Sequence, residues 1–465
     1  MKVLLINPPW YRFFGKAFTA HPIGLCYIAA LLEKNGYDVS VYNSDYNKKK
    51  SGELLMGDIS SMESYDRYPV ILDDSDHPLW KEIGSVIASQ SPDLVGISSM
   101  TGQYGPAQNI ARIVKEHDKD IPIVFGGVHP TVLPEETLAN DEVDFVVRGE
   151  GEYSFLELVK KIFACESFDG VLGVSFKEGG KVFHNPDRPL IENLDDLPFP
   201  ARHLMLEKET YPPFAFGNVI ASRGCPFNCI FCEPYRVWTK KVRYRSPENV
   251  IEEIKQVQER YNTNFFYFND ADFLIRKRYV SEVCDLIDKE GLIIDWCCEA
   301  RAGELDDKIA KKMMLSGCDH VYVGVESGDE EMLKKIKKGT TIEEIRDTRK
   351  VLLENAIGFN GMFLIGFPWE TEEAVRKTIS FMQELDPDFA SFNCVAPYPG
   401  TELHDMYSTS EIIKDLDWRY FFHQRPRLEL NEDMTEDASI ELIKDVKSAF
   451  RAQNKKRKMN NRLIG

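Results

Sequence analysis

Cys225, Cys229 and Cys232 fall inside one short stretch, SRGCPFNCIFC at 222–232, and the next cysteine in the chain is Cys284. Three thiols this close suit a metal. A closed structural zinc site wants four nitrogen or sulfur ligands, often as two near pairs, and no such second pair follows. An iron-sulfur cubane held by three thiolates instead leaves its fourth iron open to a further ligand. Of the ten cysteines only this trio has ligand spacing; the others read as small buried hydrophobes and reduced thiols.

The cysteine stretch opens after the apolar run GNVIASRG, which begins a series of strands: FFYFND, IIDWCCEAR, HVYVGVES, FNGMFLIGFP and FASFNCVAPY. Helical stretches such as PENVIEEIKQVQERY and TIEEIRDTRKVLLENA separate them. Parallel strands at this spacing predict a barrel or open barrel over 216–420, with its working residues on loops at the strand carboxyl ends. Those loops carry Asn269, Asp270, Arg301, Glu326, Ser327 and Gly328.

Residues 1–165 give a second alternation. KVLLIN, DVSVYN, DLVGISS, IPIVFGG and DFVVRGE read as near-continuous apolar strands between helices such as GLCYIAALLEKNG and PAQNIARIVKEH, which predicts a doubly wound parallel sheet. Its ligand belongs at the carboxyl ends of the strands. The loops there are SSMTGQ with Ser98, Thr101 and Gln103, GGVHPT with Gly126, Gly127 and His129, and RGEGE with Gly149 and Glu150. The loop after the first strand, NPPWYRFFG, has no glycine fingerprint for a nucleotide. KEGGKVFHNPDRPL reads as a hairpin within a proline-punctuated linker over 166–215, and 421–465 as a helical region with a basic tail.

The cysteine loop resembles that of the radical S-adenosylmethionine enzymes. The segments HPIGLCYIAALLEKNGYDV, GGVHPTVLPEE, DFVVRGEGE and LDDLPFPAR are similar to the cobalamin-binding branch of that superfamily, in the order seen there. The resemblance implies an α/β chain: a Rossmann-like cobalamin-binding domain, a partial (β/α)6 radical SAM barrel and a small helical C-terminal region. It implies a 4Fe-4S cluster on Cys225, Cys229 and Cys232, S-adenosyl-L-methionine chelated at the open iron, and cobalamin on the three loops of the first sheet. Phe231 then matches the aromatic that lies against adenine, Asn269 and Asp270 the ammonium or substrate, and Arg301 a carboxylate partner; Glu326, Ser327 and Gly328 match the motif contacting methionine and ribose. The activity implied is radical methylation of an unactivated carbon or a phosphinate phosphorus through methylcobalamin and a 5'-deoxyadenosyl radical. Cyclisation or rearrangement with the same cofactors is the alternative, and a cobalamin carrier without chemistry is disfavoured by the cysteine loop. The first domain lacks the three extra cluster cysteines of the methylthiotransferases.

The chain carries 75 acidic against 57 basic side chains, a formal charge of −18. That disfavours nucleic acid as a partner and leaves a small-molecule substrate, with an external reductant such as flavodoxin or ferredoxin. No apolar run reaches the roughly 18 residues of a spanning helix, and the start MKVLLINPPW reads as a strand, so a cytoplasmic location is expected. Trp10, Tyr11 and Trp238 are candidates for a pocket between the domains. No DxHxxG motif is present, so cobalamin is expected to bind without a histidine beneath the metal; His21 and His129 are the two to test.

Overall fold

The computed structural model describes residues 1–14, 19–48, 62–232, 235–410, 413, 416–421, 431 and 434–464. Two large sheets organise it. The first contains β1 (Lys2–Asn7), β2 (Asp38–Asn43), β3 (Leu94–Ser98), β4 (Ile123–Gly126), β5 (Phe145–Val147), β6 (Val174–Glu178) and β7 (Lys181–His184), in the spatial order β2-β1-β3-β4-β5-β6-β7. β1 to β5 run parallel, while β6 and β7 add as an antiparallel hairpin on β5. The hairpin inside the stretch read as linker is therefore an edge of this sheet.

Both faces of the sheet are covered, which is why its strands read as unbroken apolar runs. Successive side chains on a strand point to opposite faces. Val3 and Leu5 of β1 join one core with helices Ile23–Lys34 and Gly151–Ala164. Leu4 and Ile6 join the other, with helices Pro78–Gln90 and Tyr104–His117. Trp10 is buried in this second core, so it belongs to the packing of the first domain.

The second sheet has six parallel strands in the order β15-β14-β13-β12-β11-β8. They are β8 (Asn218–Val219), β11 (Phe265–Phe268), β12 (Asp295–Arg301), β13 (Cys318–Glu326), β14 (Gly358–Ile365) and β15 (Phe389–Cys394); β9 (Ser222–Arg223) and β10 (Arg243–Tyr244) form a separate short hairpin. β8 and β15 do not pair with each other, so the barrel is open. Six helices of this domain start on oxygen-bearing caps: Ser246, Asp306, Asp329, Thr341, Thr371 and Thr401 each accept a backbone N–H in the first turn, whereas the helix after β11 starts at Arg276 without one.

An open barrel leaves an unpaired edge, a template for wrong pairing unless covered. The helix Glu436–Ile464 covers it. Asn454 takes the N–H of Ala390 on β15 (2.8 Å) and donates to its carbonyl (2.9 Å), imitating a neighbouring strand, and Phe450 packs against Phe363 and Phe392. After the barrel the chain also returns to the first domain. Tyr68 and Gly105 meet the carbonyl of Arg419, and Trp418 and Phe421 join the second core.

Candidate active site

The cysteine loop spans 224–242 between β9 and β10. Gly224 has φ of +106°, and a Cβ there would lie 2.3 Å from the carbonyl oxygen of Lys241, so only glycine fits where the loop closes on itself. Cys225 N–H donates to Thr239 O (3.3 Å), Ile230 N–H to Ile336 O (3.2 Å) and Leu403 N–H to Ile230 O (2.9 Å). The loop is thereby fixed to segments following β13 and β15, on the carboxyl side of the barrel.

Cys225, Cys229 and Cys232 are half-buried there. Burial, then the neighbouring Cys229 and Cys225, pushes the Cys232 thiol up to about 12, and burial also raises Cys225. Thiolates at such positions are stable when a cation binds them, which suits iron. The buried cations Lys338 and Arg301 add positive field near Cys229 and Cys225. Among the described residues no three His, Cys, Asp or Glu side chains converge on a single ion. A cubane, which takes each thiolate on a different iron, does not ask for such convergence.

The strand ends around the loop carry the other groups. Arg301, at the end of β12, lies with its guanidinium 3.8 Å from the Phe227 ring centroid, buried and in no ion-pair contact among the described residues, its charge felt by Glu304. It is available to a ligand carboxylate. Glu326 ends β13 with φ of +63°, where the register with β14 shifts, and its carboxylate meets Lys338 Nζ at 2.7 Å in a buried pair. A non-glycine residue held there stores strain that its surroundings must enforce. Ser327 and Gly328 are engaged internally: the Ser327 hydroxyl and the Gly328 N–H both bond Thr378 Oγ1 (3.2 and 3.0 Å). Phe231 is half-buried, edge-on to Phe367.

Asn269 is exposed at the end of β11. Asp270 points inward, accepting the backbone N–H and hydroxyl of Ser222 and the N–H of Ala221. Burial pushes it up to about 6 against those hydrogen bonds. Its carboxylate thus orients the strand that leads into the cysteine loop. Two groups not singled out in the sequence stand nearby: past the end of β11, Asp272 is buried and its carboxyl is pushed up by burial and then by the neighbouring Glu304, and Asp272 Oδ2 and Glu304 Oε2 receive no donor from the described residues. Asp272 was legible as a second acid in FNDADF; Glu304 lies beyond its strand and had no such signal.

On the first sheet the chain moves out to β2 on one side of β1 and to β3 on the other, which makes β1/β3 the switch point where α/β sheets bind ligands. Gln103 spans it, donating to Pro8 O (3.0 Å), and Met100 beside it is 59% exposed. Ser98 is half-buried at the end of β3. Gly127, with φ of +102°, lets the next loop approach: a Cβ would be 2.6 Å from Ser99 O. Thr131 then accepts from Gly149 N–H (3.0 Å) and donates to Gly127 O (2.7 Å), so the three loops form one edge. Gly126 and Gly149 expose backbone on it, and Cβ atoms there would meet nothing closer than 3.7 Å. The edge presents open space at Gly126 and Gly149 and the exposed side chain of Met100.

Three residues of this edge are engaged inside the protein. His129 is fully buried, its Nδ1 3.4 Å from Thr101 Oγ1 and its ring 4.1 Å from Tyr104; burial pushes it down to about 3. Thr101 is buried with it. Glu150 accepts from Arg223, Arg243 and Ile191 N–H. His21 is likewise internal, with Nδ1 2.9 Å from Ala215 O. The short helix Tyr235–Trp238, just past the cysteines, packs against Val128–Val132, so the two candidate cofactor loops face one another.

The site is thus a three-cysteine loop at the mouth of an open barrel, joined to a doubly wound sheet. The Radical SAM superfamily model matches residues 219–382, and the B12 binding domain model matches residues 17–159. An uncharacterized methyltransferase of Pyrococcus horikoshii is 34% identical, over 94% of this chain and 90% of its own. The anaerobic magnesium-protoporphyrin IX monomethyl ester cyclase of Rubrivivax gelatinosus is 28% identical over 87% of this chain and 69% of its own. The cytidylyl-2-hydroxyethylphosphonate methyltransferase of Streptomyces wedmorensis is 29% identical over 86% and 80%. The structure of the radical S-adenosylmethionine methyltransferase TsrM of Kitasatospora setae, with cobalamin and a [4Fe-4S] cluster, superimposes with a TM-score of 0.66 at 19% identity, covering 86% of this chain and 73% of TsrM. This chain belongs to the cobalamin-dependent radical SAM family. It is a radical SAM enzyme whose cofactors are a 4Fe-4S cluster, S-adenosylmethionine and cobalamin.

Proposed function

We propose that this enzyme methylates an unactivated carbon, or a phosphinate phosphorus, of a small-molecule intermediate. The observation that carries the reading is the facing of the cysteine loop and the first-sheet loops, with Tyr235–Trp238 packed on Val128–Val132. When bound, the cluster with S-adenosylmethionine supplies a hydrogen-abstracting radical, and the corrinoid supplies a transferable methyl group. The chain's own residues position these. Cys225, Cys229 and Cys232 hold iron; Arg301 takes a carboxylate; the Asp272 and Glu304 pair offers a negative charge to a cationic group once its proton leaves. The rim at Met100, Gly126 and Gly149 carries the corrin, and an external reductant such as flavodoxin or ferredoxin delivers electrons.

The identity to two methyltransferases over most of the chain supports methyl transfer. The reconstituted enzyme, given substrate, S-adenosylmethionine and reductant, is expected to form S-adenosylhomocysteine and 5'-deoxyadenosine in comparable amounts. The likeness to the Rubrivivax cyclase favours a second reading, ring closure. In that case deoxyadenosine accumulates without S-adenosylhomocysteine.

A further inference from the structure

Arg223 and Arg243 stand directly opposite each other on the two-residue hairpin that closes the base of the cysteine loop. Like charges in that position repel and destabilise the pairing. They are buried, at 6% and 4% exposure, and so are Glu150 and Glu152, at 7% and 5%. Both carboxylates come from the first domain, at the start of helix Gly151–Ala164. Glu150 receives Arg223 at 2.9 Å and Arg243 at 2.8 Å, and Glu152 receives Arg223 at 2.5 Å. Burial pushes Glu150 up, but Arg243, Arg223 and the Ile191 N–H outweigh it and hold the carboxyl below its ordinary range. Two positive and two negative charges balance in a buried setting, where removing one partner leaves its opposite uncompensated.

The two like charges of the hairpin thus draw their counter-charges from the first domain. Its position in the chain gives that dependence a purpose. Glu150 follows Gly149, whose N–H is tied through Thr131 to Gly127 on the neighbouring loop. Arg223 precedes Gly224 and Cys225. A continuous run of bonds therefore links the cobalamin rim to the first cluster ligand. We infer that Glu150 and Glu152, through Arg223 and Arg243, are positioning residues that set the spacing between the cobalamin rim and the cluster loop. The role is independent of whether the product is a methylated or a cyclised molecule.

The test is spectroscopic, on the full chain loaded with iron and cobalamin. Reduced cluster and Co(II) are both paramagnetic, and their magnetic dipolar interaction reports their separation and its spread. Glu152→Gln keeps shape and one hydrogen bond while removing a charge; Arg223→Lys keeps charge and removes the fork that reaches both carboxylates. Each is expected to retain wild-type iron and cobalt content, to broaden the dipolar spectrum, and to release several-fold more 5'-deoxyadenosine per product. A wild-type dipolar spectrum in fully loaded Glu152→Gln overturns the inference. Should Arg223→Lys lose the cluster, Glu152→Gln decides, because Glu152 lies on the other domain and away from the cysteines.

Discussion

Asp272 and Glu304, past the ends of neighbouring barrel strands, are two carboxyl groups that interact in a buried setting where Asp272 Oδ2 and Glu304 Oε2 receive no donor from the described residues, an arrangement that disfavours two negative charges at once. Burial, then Glu304, pushes Asp272 up to about 8. A carboxyl raised in the folded state stabilises while protonated: its contribution is complete below about pH 4 and is lost as pH rises through about 8. Asp272→Asn keeps the shape without the titration. Thermal unfolding of the cofactor-free protein at about pH 6 and about pH 9 is expected to differ less in the variant, by a few degrees. An unchanged pH dependence counts against the raised carboxyl.

Replacing Cys225, Cys229 and Cys232 together by alanine is expected to abolish cluster binding and deoxyadenosine release. The wild-type chain is expected to take up about four irons on anaerobic reconstitution. Cys165 is exposed and Cys284 buried in a helix, and neither adjoins the loop, so their replacement is expected to leave iron and sulfide content unchanged.

Lys338 neutralises Glu326 beside the cluster loop. Lys338→Met leaves a buried carboxylate unpaired, which is expected to cost about 3–5 kcal/mol in denaturant unfolding, and Lys338→Met/Glu326→Gln is expected to recover much of it. Losing a nearby positive charge also makes adding an electron harder. A redox titration of Lys338→Met should place the cluster midpoint below that of the wild type; a midpoint at or above it would contradict the electrostatic role.

His129 has its Nδ1 near Thr101 and its ring against Tyr104, and His21 bonds the carbonyl of Ala215. Neither is placed as an exposed metal ligand. The Co(II) form is expected to show no nitrogen superhyperfine splitting in its electron paramagnetic resonance spectrum. Splitting that disappears in His129→Ala or His21→Ala would identify that residue as the axial ligand.

Asn454 supplies the bonds a missing seventh strand would make to β15. Asn454→Ala is expected to lower stability by about 1–3 kcal/mol, since buried strand groups lose their partners. Light scattering on warming should show earlier association than in wild type, through the uncovered edge.

The sequence alone determined the order of elements and the metal chemistry, because both are local. Apolar runs such as KVLLIN and HVYVGVES fix strands, and the spacing of Cys225, Cys229 and Cys232 fixes three thiols on one loop. The motif residues of the first sheet were also legible as a group, since strand ends of a doubly wound sheet share an edge. What each side chain does was decided by tertiary structure. Glu150 and Asp270 look like ligand contacts in their motifs, yet one binds Arg223 and Arg243 across the domain boundary and the other orients Ser222. Asp272 and Glu304, from separate strands, meet only when β11 and β12 pair. Hydrogen bonds and ion pairs between residues distant in sequence depend on a register that the chain acquires on folding, and a carboxylate's role follows from which cation or proton that register brings to it.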